Sequence, residues 1–207
     1  MSIVKLNNRG VKDATAFGSI SSLGSLTLIK KQTASSSANI SFVDGSSGVV
    51  LDNTYKEYIF YFNNIHPATN SVFFSFNLST DSGSNYNVAK TSTCFRAYHS
   101  ESGSGSALGY ITDYDLAQGT GGQNLQSTNL GAENDECFTG IIHLFNPSST
   151  TFVKHYIAET SISADNDAGN HFFTAGYGNT TSAINGVQFS MSSGNIDAGD
   201  ILLFGLN

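Results

Sequence analysis

The chain has 207 residues and a mass of 21.9 kDa, enough for one large domain or two small ones. Hydrophobic residues make up 39%, with 15 Phe, 9 Tyr and no Trp, but charged residues only 12%, about half the usual share. That balance excludes a coiled coil, which needs charged heptads, and charge-rich disorder, which lacks aromatics. With 21 Gly and abundant Ser, Thr and Asn, it points to β-structure with many turns. The net charge of −7 makes nucleic acid a poor partner, because phosphate binding needs clustered Lys and Arg. The charge is uneven: Lys5, Arg9, Lys12, Lys30 and Lys31 oppose only Asp13 in the first 31 residues, so that segment carries +4 and the rest −11.

Residues 1–22 alternate weakly and are broken by Asn, Gly and Ser, as in an extended arm with little core of its own. The segments 25–33 and 37–44 alternate around Ser-rich turn residues and predict a hairpin. A short apolar run follows at 47–53. The strongest strand is 56–67, with Tyr58, Phe60 and Phe62 on one side and Ile59 and Tyr61 on the other. Both sides are apolar, which places it between two layers or at an interface. The segment 71–79 sets Val72, Phe74, Phe76 and Leu78 on one face, the pattern of a half-buried antiparallel strand.

Another strand is predicted at 91–100, followed by a Gly/Ser stretch at 101–109. The longest non-periodic region runs over 113–135, and long loops of this kind commonly carry contacts. Within 101–135, Tyr110 and Tyr114 are the candidate contact residues. Strands follow at 137–146, 151–160, 170–179, 184–193 and 200–207. Pro147 marks a tight connection, and Gly194 and Gly199 stand where positive φ is expected. About ten strands at this spacing predict an all-β fold, a β-sandwich of jelly-roll type over 23–207 with an N-terminal arm over 1–22.

Candidate chemistry is sparse. His66, His99, His143, His155 and His171 show no metal-ligand spacing, although His143 and His155 fall on adjacent strands where they can face each other. DNDAGN at 165–170 opens like a calcium loop but lacks the distal Glu, so a solvated turn is the simpler reading. No GxSxG elbow is present. Cys94 and Cys137 read as buried free thiols, since their spacing alone does not set a bridge. The start of the sequence lacks an apolar signal core and no run reaches a membrane span, so neither a cleaved signal nor a membrane partner is expected. The expectation is a protein that is not an enzyme and uses no cofactor or metal.

Several stretches, NIHPATN at 64–70, FNPSSTTFVKH at 145–155 and MSSGNIDAG at 191–199 among them, resemble structural proteins of marine tailed bacteriophages, those of cyanobacteria and pelagic α-proteobacteria. The similarity covers most of the chain and is weakest over 81–135. It implies a virion component on the head or tail, assembled in the host cytoplasm with other virion proteins and with further copies of itself, as a trimer. The expected role is capsid decoration or head appendage, with Ile3, Val4, Lys5, Leu6, Arg9 and Lys12 forming the assembly arm. The alternative is a tail-fibre or knob module that binds a host-surface glycan through Tyr110 and Tyr114.

Overall fold

The computed structural model describes residues 26–206 of the chain. The described residues form twelve strands and no helix. These are β1 (Leu26–Thr33), β2 (Ile40–Val43), β3 (Glu57–Pro67), β4 (Phe74–Ser79), β5 (Lys90–Ser100), β6 (Ser106–Tyr110), β7 (Gln123–Asn124), β8 (Phe138–Phe145), β9 (Lys154–Ala164), β10 (Ala168–Gly178), β11 (Gly186–Met191) and β12 (Ile196–Leu206). They build an eight-stranded sheet in the order β1-β12-β3-β8-β9-β10-β5-β6 and a four-stranded sheet in the order β2-β11-β4-β7. Every pairing is antiparallel. The fold is therefore an all-β sandwich, as the composition and strand spacing predict. The arm residues Ile3 to Lys12 lie outside the described residues.

The core follows from alternation. Tyr58, Phe60 and Phe62 of β3 are buried on the inner side of the large sheet, and Phe74, Phe76 and Leu78 of β4 are buried on the inner side of the small one. Phe62 meets Phe74, Phe138 and Phe189 edge-on at centroid distances of 5.4, 5.7 and 5.1 Å. Edge-to-face contacts of this kind favour one arrangement over other apolar packings.

Three expectations change. The segments 25–33 and 37–44 are not a hairpin: β1 pairs with β12 and β2 with β11. The backbone of Ala34, Ser36 and Ser37 keeps following β12, bonding Gly199, Asp197 and Ile196, before the chain crosses to the other layer. Those bonds to β12 satisfy the polar groups that a tight turn would otherwise pair internally. The run 47–53 is not a strand but a lid, with Val49 and Leu51 buried and the Leu51 amide donating to Asp44 Oδ1 at 2.8 Å. The region 113–135 is only partly an exposed loop, because β7 pairs with β4 and Gln123, Leu125, Gln126 and Leu130 are buried.

Other readings hold. Gly194 and Gly199 have φ of +69° and +110°, and a side chain at Gly199 would come within 2.5 Å of the Asn64 carbonyl oxygen. That position sits in the bulged stretch between β12 and β3. The aspartates at 165–167 close the β9–β10 hairpin, with Asp167 in the left-handed region and Asp165 accepting from Ser71. They form a turn, as the sequence suggests. Cys94 and Cys137 are both free thiols; Cys94 is buried and Cys137 half-buried. Burial, with Asp115 nearby, pushes the Cys94 thiol up to about 11, which keeps it protonated and unreactive near neutrality.

Candidate functional site

The sequence directs attention first to Tyr110 and Tyr114. Tyr110 ends β6, the last strand of the large sheet, and is 54% exposed. Its hydroxyl donates to Asp115, and that bond raises its pKa above the ordinary phenol value. Tyr114 is not beside it on the surface. It is half-buried, tilted against Phe73 at 5.3 Å, with its carbonyl accepting from Gln123 Nε2. The two tyrosines therefore do not form one platform. Tyr98 is covered in turn by the Arg96 guanidinium, 5.0 Å from the ring centre.

The strings that carry the phage resemblance are structural. In NIHPATN and MSSGNIDAG, the Ala68 amide donates to the Asn195 carbonyl at 2.9 Å, and Pro67 lies opposite Ile196. Asn195 Nδ2 also donates to the Ser36 carbonyl at 2.9 Å, so three chain segments meet at that corner. In FNPSSTTFVKH, the Pro147 carbonyl accepts from Ile184 at 2.8 Å, and buried Lys154 donates to the carbonyls of Phe152 and Thr180. Turns and buried donors account for these unusual residue combinations, because each closes a corner where backbone groups would otherwise be left unpaired.

The outer side of the large sheet holds what the sequence reading missed. His143 bonds Glu57 through Nδ1, and His171 Nε2 lies 2.9 Å from Glu159 Oε1. His143 faces Ile157 across the β8–β9 pairing while His155 faces Tyr177, so the two histidines do not meet each other. Beside His155 lies a shallow groove of about 510 Å³, bordered by Phe145, His155, Ile157, Ala175 and Tyr177. Among the described residues no three or more His, Cys, Asp or Glu side chains converge as a metal set would.

No protein-family model, curated protein or solved structure matches the chain. The outer side of the large sheet thus combines exposed apolar side chains, Phe95 and Ile157 among them, with two carboxylates each bonded to a histidine. The signal was present in the sequence. KHYIAET at 154–160 and NHFFTAGYGN at 170–179 carry apolar residues at both parities, the same two-sided pattern that marks 56–67.

Proposed function

We propose that the chain is a non-enzymatic structural protein of a tailed-phage particle, a capsid decoration or head-appendage protein. Its arm, with Ile3, Val4, Lys5, Leu6, Arg9 and Lys12, engages neighbouring virion proteins, and its sandwich projects outward. The observation that carries this reading is the resemblance at 64–70, 145–155 and 191–199, whose residues close the corners of the fold described above. The finer fold assignment is a jelly roll. When the hairpins β5–β6 and β9–β10 are set apart, the other eight strands form β1-β12-β3-β8 and β2-β11-β4-β7. Two such interleaved sets of four support two Greek keys.

A second reading is favoured by Tyr110 and its bonded Asp115. An exposed ring beside a carboxylate suits a sugar, and this would make the chain a tail-fibre module that binds a host-surface glycan. Labelling particles with an antibody to this chain separates the two. Label on the head supports the first reading. Label confined to fibre tips, with glycan binding lost in Y110A, replaces it with the second. Reversing the arm charges, Lys5→Glu, Arg9→Glu and Lys12→Glu together, should leave a folded protein that no longer joins particles.

A further inference from the structure

We infer that the outer face of the eight-stranded sheet is the surface on which a second copy of this chain docks. The inference deepens the assembly reading by naming the surface that the copies share.

The strands of this sheet are inverted with respect to charge. Across β5, β9 and the β10 strand between them, the lysine and arginine side chains point inward: Lys90 and Lys154 are fully buried and lie on either side of Gly178, and Arg96 reaches the Ser127 carbonyl. The outward positions of the same strands hold Phe95, Ile157 and Phe173. Phe95 and Ile157 are 45% and 51% exposed, and Phe95 and Phe173 stack at 4.7 Å. On β3 and β12 the outward pair is Tyr61 and Phe204, packed edge-on at 5.4 Å. Burying cations while exposing aromatic rings is unfavourable for a monomer in water. It becomes favourable when the rings are covered too.

Size and charge select the partner. Six strands about 4.8 Å apart, read over about eight residues at about 3.3 Å each, give a face of roughly 750 Å². An outline of that size has room for the ~800 Å² that each partner contributes to a stable interface. The composition, rich in aromatics and free of lysine at its centre, is that of an interface core. Its acids, Glu57 and Glu159, are each bonded to a histidine on an adjacent strand. Both carboxylates are thus tied to a neighbour within the same copy, and no lysine or arginine stands at the centre of the face to select an acidic protein. The groove beside Phe145 and Tyr177 receives a protruding apolar side chain, and Phe152, 70% exposed in the β8–β9 loop, is one that every copy supplies.

The test is sedimentation velocity on the full chain. The wild type should run at a multiple of 21.9 kDa. I157D and F95D, both at exposed positions, should weaken association at least tenfold while leaving the far-ultraviolet dichroism unchanged, whereas S190D on the small sheet should not. A wild type that is monomeric at tens of micromolar overturns the inference. So does an oligomer that survives both substitutions, or hydrogen exchange showing the face of a monomer protected by residues 1–25. None of these results bears on whether the protein is found in particles, so the two readings fail separately.

Discussion

The outer faces of the two sheets obey the same alternation and differ in what it places there. On the small sheet the outward residues include Ser41, Ser75, Asn77, Gln188 and Ser190, with Val43 the apolar exception, and Gln188 Nε2 donates to Ser41 Oγ at 3.1 Å. On the large sheet the corresponding positions hold Phe, Tyr, Ile and His interspersed with Thr, Ser and Glu. One face is finished as a water boundary, and the other retains the composition of a core. The difference teaches that the alternation sets which side chains face out, while the residue types placed there differ between the two sheets; the docking proposed above would account for that difference.

The comparison is broken most severely at the shared core. Phe62→Ala removes a buried ring that touches both sheets and should cost about 3–5 kcal/mol in urea unfolding. Phe173→Ala, on the outer side, should cost far less in the isolated chain yet impair association more, so the two variants exchange rank when the readout changes. Next in size is Gly140→Ala on the inner side of β8. Its new methyl would stand 2.7 Å from the Glu159 carbonyl and from the Thr160 side chain, and crowding of that kind costs about 1–3 kcal/mol. A thermal scan that shows no loss would mean the β8–β9 spacing relaxes freely.

The inverted lysines make a pH prediction. Burial lowers the Lys90 ammonium from its ordinary 10.5 to about 8, and burial lowers Lys154 as well. Between pH 8 and 10.5 the unfolded chain holds protons that the folded chain has released, so stability rises with pH there, by at most about 3 kcal/mol for Lys90. Burial also raises the phenols of Tyr58 and Tyr156 above their ordinary 10. Above pH 10 the unfolded chain therefore loses protons that the folded chain keeps, which opposes the gain. Unfolding midpoints should climb from pH 8 to about 10 and then level or fall, and Lys90→Met should flatten the climb. The smallest effect belongs to the finished face: Ser190→Ala should stay within about 0.5 kcal/mol of wild type.

Much of this architecture was legible in the residues. The Tyr58, Phe60 and Phe62 alternation gave the inner face of β3, and Gly194 and Gly199 announced their backbone geometry. The hairpin expected between 25–33 and 37–44 failed because local turn chemistry does not reveal that β1 and β2 pair with strands some 150 residues further along. The segment around Gln123 and Gln126 looked like loop because its buried amides are satisfied by tertiary partners, Tyr156 and the Val72 carbonyl among them. Polar residues buried in this way carry no hydrophobic periodicity. The apolar outer side was half visible: two-sided apolarity at 56–67 placed that strand between two layers or at an interface, but only the strand order shows β9, β10 and β5 extending the same face.

The enclosed amines of Lys90 and Lys154 have a practical consequence. Acylating reagents reach an amine only when it is solvated and unprotonated. In the native protein these two are roofed by Asn77, Val88, Phe152 and Thr180, while Lys31 is 49% exposed. Mass spectrometry after brief labelling would thus find Lys31 modified and the other two untouched for as long as the sandwich is closed. Heating, or any event that opens the sandwich, would be recorded as new modification at positions 90 and 154.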